Sequence, residues 1–158
     1  MIWVGVDPGK NGGYAIIAES DTGKAVFAYP WDDTFFAFEM SAIMQKKDEG
    51  ITAVVEKVGA RPGQGVTSMF NFGKNAGYIE GVLSALGIPY QLIPPATWKK
   101  EFSLIGKDKQ ASIEVCKRLF PDVDLKRTER CRTESDGKAE ALLLCTYAMR
   151  HFRPGGAK

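Results

Sequence analysis

Ile2-Trp3-Val4-Gly5-Val6-Asp7-Pro8-Gly9-Lys10-Asn11-Gly12-Gly13-Tyr14-Ala15-Ile16-Ile17-Ala18 is the stretch that decides the fold. The apolar, β-forming run Ile2–Val6 reads as a buried strand. Pro-Gly and Gly-Gly mark a turn, and Tyr14–Ala18 reads as a second strand. A further turn at Ser20-Asp21-Thr22-Gly23 leads into a third strand over Lys24–Tyr29. The chain therefore opens as an antiparallel three-stranded meander, and its first strand ends on an acid, Asp7.

Working outward, Asp32 or Asp33 can cap a helix running to about Lys47. Phe35, Phe36, Met40, Ile43 and Met44 are expected on its inner side. Ile51–Val55 is near-continuously apolar and so reads as a central strand. A loop follows, then a long helix from about Thr67 to Leu86 stopped by Gly87, then a strand over Pro89–Ile93. Helical turns begin near Pro94, a helix spans Lys107–Phe120, and a last helix runs from about Ser135 to Phe152. Antiparallel strands followed by helix-connected parallel strands predict an α/β fold with a mixed five-stranded sheet covered by helices. No linker divides it, so residues 1–158 are expected to form a single domain.

Composition narrows the function. Hydrophobic residues make up 44% and charged residues 25%, as in a globular protein with a real core. No apolar run approaches the ~20 residues of a membrane span, and Met1-Ile2-Trp3-Val4 leads straight into a charged turn, unlike a signal peptide. The cysteines, Cys116, Cys131 and Cys145, are too far apart for a zinc site or a disulfide framework, which fits a reducing, cytoplasmic setting. Net charge is unevenly spread: residues 1–56 hold four lysines against nine carboxylates, whereas the remainder holds a basic excess. A basic face beside acids suits a polyanion held by its phosphates.

Four carboxylates stand where carboxylates are rare. Asp7 and Glu56 each end an apolar strand, and Asp136 and Glu140 lie one turn apart on one face of the last helix. Converging carboxylates repel one another unless cations sit between them, the arrangement that two-metal phosphodiester chemistry uses. Asp7 before Pro8-Gly9 is also an ordinary turn former, and Asp136 before Gly137 an ordinary helix cap. His151, the only histidine, is expected to be solvated at a helix end. The small-residue stripe Gly73, Gly77, Gly81 suggests close packing on the sheet or on a second copy.

At these residues the sequence resembles the RuvC family of Holliday junction resolvases, within the RNase H-like superfamily. The matching stretches are Val4-Gly5-Val6-Asp7-Pro8-Gly9, Val54-Val55-Glu56, the helix Phe72–Gly81, and Asp136-Gly137-Lys138-Ala139-Glu140-Ala141-Leu142, in family order. The ending Asp-Gly-Lys-Ala-Glu-Ala is most similar to the phage and poxvirus branch. The resemblance implies an RNase H-like nuclease domain and a homodimer that nicks two strands of a four-way or other branched DNA junction. It implies two Mg²⁺ or Mn²⁺ ions per active site, with Asp7, Glu56, Asp136 and Glu140 as their catalytic ligands. Two departures stand out: the final acids are four apart where bacterial members commonly space them three apart, and Val58-Gly59-Ala60 replaces the bacterial aromatic wedge. Phe70 or Phe72 is the candidate wedge instead. Lys107 and Lys109 are candidate phosphate contacts, and Lys57, Arg61 and Lys74 candidates for lining the path of the DNA arms. Neither a membrane nor a nucleotide cofactor is expected. Two other readings are a catalytically silent junction-binding module and an actin-like ATPase fragment, whose Asp-Gly strand-turn-strand also meets phosphate.

Overall fold

The computed structural model describes residues 1–59, 63 and 65–152, backbone only at 47 and 49. Strands β1 (Ile2–Asp7), β2 (Gly13–Ser20), β3 (Gly23–Pro30), β4 (Ile51–Glu56) and β5 (Tyr90–Ile93) form one sheet in the order β3-β2-β1-β4-β5. β1 and β3 run antiparallel to β2, while β4 lies parallel to both β1 and β5. The expected mixed five-stranded sheet is therefore present.

The helices are α1 (Asp33–Ile43), α2 (Val66–Ala85), α3 (Pro95–Glu101), α4 (Lys109–Leu119) and α5 (Asp136–His151), with a 3-10 turn at Met44–Glu49. Strand alternation sends side chains to two cores. Ile2, Val4 and Val6 of β1 join Ala53 and Val55 of β4 against Phe36, Met40, Ile79 and Leu83 from α1 and α2. Trp3 and Val54 face the other way, against Trp98, Ile113, Leu142 and Cys145 from α3, α4 and α5. Asp7 and Glu56, two residues past Gly5 and Val54, share that second face at its rim. The β1–β4 register carries them there side by side, with Val6 paired to Val55.

Glycines decide how closely α5 approaches. A methyl at Gly5 would overlap the Ala141 carbonyl oxygen and the Cys145 amide nitrogen, so α5 presses directly on the β1 backbone. A methyl at Gly137 would likewise overlap Asn11 and Gly12, which seats the start of α5 on the β1–β2 turn.

Several sequence expectations change. Phe35 is exposed at 42%, because Phe36, Met40 and Ile43 already form the i, i+4, i+7 line that faces the sheet and Phe35 is displaced about 100° from it. The α1 helix stops at Ile43 rather than near Lys47, and the turns after Pro94 extend to a full helix through Glu101. Gly73, Gly77 and Gly81 do not pack on the sheet. Ala76, Ile79 and Leu83 do so, leaving open space over all three glycines among the described residues. His151 is half-exposed yet bonds Glu101 at 2.7 Å, beside an Arg150–Glu101 ion pair of 2.7 Å.

Candidate functional site

Three elements bring three carboxylates together. Asp7 ends β1, Glu56 ends β4, and Glu140 lies one turn inside α5. One carboxylate oxygen from each lies within 4.8 Å of the others. The separation in sequence is bridged by the parallel β1–β4 pairing and by the Gly5 contact, which sets α5 close enough for Glu140 to reach the rim.

Asp136 lies beside this group rather than within it. Ser135 is the α5 N-cap, accepting from the Lys138 amide, so Asp136 is the first helical residue and not the cap. Its carboxylate is held by the Lys109 ammonium, and it lines the same cleft as Asp7 and Glu140. That cleft has a volume of ≈ 770 Å³ and is walled on the opposite side by Ser68, Asn71, Phe72 and Asn75 of α2. The i, i+3, i+4, i+7 spacing of these four puts them on one helix face.

The cluster is electrostatically loaded. Burial, then the neighbouring charges of Glu56 and Glu140, hold the Asp7 carboxyl well above the usual carboxylate range, with Lys99 pulling the other way. Lys99 donates to Glu140 Oε1 at 3.0 Å, and the Ser112 hydroxyl donates to the same oxygen at 3.1 Å. The Trp98 indole N–H donates to Glu56 Oε2 at 2.8 Å. Trp98 and Ser112 carry no chemical motif in the sequence, and Lys99 stands out there only as part of the basic excess. A tryptophan within a short helix beside two lysines was the only visible signal, because a buried indole N–H requires an acceptor.

The donor set fits a hard divalent cation: the converging atoms are all carboxylate oxygens, and ammonium groups already sit against Glu140 and Asp136 where positive charge is favoured. A prediction follows from the raised Asp7 pKa. The folded state binds a proton there that the unfolded chain releases near the ordinary Asp value of about 3.9. Metal-free stability should therefore fall as pH rises from that value through the folded pKa of Asp7. In EDTA at neutral pH, Asp7→Asn should melt above wild type, with the gap closing toward pH ~4. Mn²⁺ should raise the wild-type melting temperature and act less on the variant. A wild-type protein whose metal-free melting temperature climbs with pH relative to Asp7→Asn would contradict this.

The remaining candidates are placed as follows. Phe72 lies over the β1–β2 turn, 3.3 Å from where a Gly9 Cβ would stand, and lines the cleft. Phe70 is 71% exposed near the start of α2. Lys74 is exposed in a side pocket with Asp33, Asn71, Asn75 and Tyr78. Lys57 and Lys107 are exposed, the first just past β4 and the second just before α4. Lys109 reaches the cleft through Asp136. Arg61 lies outside the described residues. Asn75 Oδ1 accepts the Gly9 amide at 3.2 Å, tying α2 to the turn beside Asp7.

Among solved structures, the chain is similar to that of Thermus thermophilus RuvC, with 15% identity and a TM-score of 0.54 over 95% of this chain and 96% of that one. It is also similar to T. thermophilus RuvC in complex with a Holliday junction substrate, with 13% identity and a TM-score of 0.56 over 96% and 97% of the two chains. The chain has a RuvC-like fold. No family model matches the sequence, and no curated protein matches it. The RuvC-like superposition spans nearly the whole chain, so the sheet, the α2 wall and the α5 helix all belong to it. Among the described residues no helix is long and apolar enough to cross a membrane.

Proposed function

We propose that this chain is a metal-dependent endodeoxyribonuclease that cuts four-way and other branched DNA junctions, with residues 1–158 forming one RNase H-like nuclease domain. The observation that carries this reading is the convergence of Asp7, Glu56 and Glu140 at the rim of a RuvC-like sheet. A silent binding module has no need of three mutually repelling carboxylates, and the cluster is the feature that favours an enzyme. An actin-like ATPase needs a second domain to close over nucleotide, whereas here one sheet already accounts for all five strands among the described residues.

Asp7, Glu56 and Glu140, with Asp136 at the edge, would hold Mg²⁺ or Mn²⁺, two per site. Bound there, the cations supply an activated water and charge stabilisation on the leaving 3′ oxygen. The chain's own residues do the rest. Asp7, whose carboxyl feels the charges of both Glu56 and Glu140, would be a central ligand of the pair. Lys109 and Lys99, each on a carboxylate, are placed to take up phosphate oxygens as the carboxylates turn toward metal. Phe72 and the amide side chains of Asn71 and Asn75 form the wall against which the DNA strand lies. Lys57, Lys74, Lys107 and Arg61 are proposed to steer the duplex arms, and Phe70 or Phe72 to wedge the junction open.

We further propose an intracellular homodimer, since two symmetric cuts in a junction of two-fold symmetry call for two active sites on a two-fold axis. The outward-facing Gly73, Gly77 and Gly81 leave α2 a smooth surface for a second copy. The test is to incubate the protein with four-way, Y-shaped and linear DNA with Mg²⁺ or with EDTA. Paired nicks in the four-way junction, dependent on Mg²⁺, are expected. Full nicking in EDTA, or equal cutting of linear duplex, would overturn the reading.

A further inference from the structure

We infer that Trp98 is a positioning residue for Glu56: its indole N–H fixes the carboxylate in the orientation that a divalent cation at this site requires. This rests on the reading of the Asp7–Glu56–Glu140 cluster as a metal centre.

Glu56 is the last residue of β4, and its longer side chain has one more rotatable bond than Asp7 has on β1. Left to itself at a strand end, it would spread over several rotamers, and each wrong rotamer takes an oxygen out of the cluster. The Trp98 bond removes that freedom. It spans 42 residues of sequence, engages Oε2 at 2.8 Å, and comes from a side chain with 0% exposure. An indole N–H is a donor only, so it selects an acceptor and cannot reverse its role. A carboxylate oxygen is the acceptor, and a carboxylate accepts a stronger bond than a neutral oxygen does. The indole itself is immobile, packed in the α3–α4–α5 core with an edge-on contact to Phe102 at 6.4 Å between ring centres. One oxygen of Glu56 is thus held by a fully buried ring.

The next residue makes the arrangement more specific. Lys99 Nζ sits 5.1 Å from the Trp98 ring and donates to Glu140 at 3.0 Å. Consecutive residues of the single helix α3 therefore grip two carboxylates that come from β4 and α5. Trp98 is the one of the pair that stays compatible with bound metal, because it is neutral and adds no positive charge to compete with a cation. Partners behind a ligand typically matter about ten- to hundred-fold in metal affinity.

A core role alone would also explain a buried tryptophan, so the test must remove the N–H without the ring. Trp98 is replaced by benzothienylalanine, which has sulfur in place of the indole N–H and nearly the same shape. Trp98→Phe serves as a second, genetically simpler variant. Mn²⁺ affinity is measured by calorimetry on wild type, both variants and Glu56→Ala, with melting in EDTA recorded for each. Expected for the isostere are a metal-free melting temperature near wild type and Mn²⁺ binding weaker by about ten- to hundred-fold. In the Glu56→Ala background, which has no side-chain acceptor, the same replacement should cause no further loss, because the carboxylate it orients is gone. Unchanged Mn²⁺ affinity in the isostere would overturn the inference while leaving the metal centre standing. So would an equal additional loss in the Glu56→Ala background. A wild-type protein that binds no Mn²⁺ would remove the metal centre and this inference together.

Discussion

Replacing Asp7 with Asn is expected to abolish nicking of a four-way junction while leaving junction binding near wild type. The change removes one ligand charge and almost no volume. Burial first, then Glu56 and Glu140, raise the Asp7 carboxyl well above the usual carboxylate range. Losing several kcal/mol of metal-derived stabilisation corresponds to a rate loss of about a hundredfold or more. Glu56→Gln and Glu140→Gln should fall in the same class, since their oxygens complete the 4.8 Å group. Asp136→Asn should lose less, because Asp136 stands outside that group and is engaged by Lys109. The measurement is the single-turnover nicking rate at saturating Mg²⁺, with binding followed by gel shift in Ca²⁺. An Asp7→Asn protein that nicks at the wild-type rate would end the proposal that this cluster is catalytic. An Asp136→Asn protein as inactive as Asp7→Asn would show that metal binding draws Asp136 into the cluster.

Gly5→Ala is the second change with a large expected effect, and it acts on the fold. One methyl there would overlap backbone atoms of Ala141 and Cys145, neither of which can rotate away as a side chain would. Relief requires α5 to lift from β1, which breaks packing for Trp3, Leu142 and Cys145 in the larger core. Overpacking of a dense core costs about 1–3 kcal/mol and more where backbone must move. The upper end is expected here, roughly 3 kcal/mol or greater, read as the shift in urea midpoint at unchanged slope. The lifted helix also carries Glu140 away from Asp7, so any Gly5→Ala protein that folds should bind Mn²⁺ more weakly. A substitution that leaves both the urea midpoint and Mn²⁺ binding unchanged would show that the β1–α5 contact is not what assembles the site. By contrast, a methyl at Gly77 meets nothing within 4 Å among the described residues, although it too is a glycine in a regular element. The two positions look alike in sequence, and only their surroundings separate them.

Much of the architecture was readable from local pattern. Apolar runs of four to eight residues, broken by Pro-Gly and Gly-Gly turns, set the strands, and helical spacing set the helices in the right order. Asp7 and Glu56 were conspicuous because an acid at the end of an apolar strand is costly unless it has a use. The structure departs from local pattern where that pattern is ambiguous. Phe35 and Phe36 are equally apolar, and only the packing of Met40 and Ile43 in line with Phe36 determines which turns inward. The stripe Gly73, Gly77, Gly81 reads equally as packing on the sheet or on a second copy, and since Ala76, Ile79 and Leu83 take the sheet, only the first of these is excluded.

Element order, the strand-end acids and the one-turn pairing of Asp136 with Glu140 are written in the local sequence. These follow from interactions between near neighbours, which a chain carries wherever it goes. Only the tertiary structure decided that three of the four acids converge while Asp136 turns to Lys109. It alone supplied Trp98 for Glu56, and Lys99 and Ser112 for Glu140. Those partners lie 42, 41 and 28 residues away. A hydrogen bond across such a distance has no periodicity to betray it. It exists because β4 pairs beside β1 and because Gly5 lets α5 come down onto the sheet, and both are properties of the folded backbone.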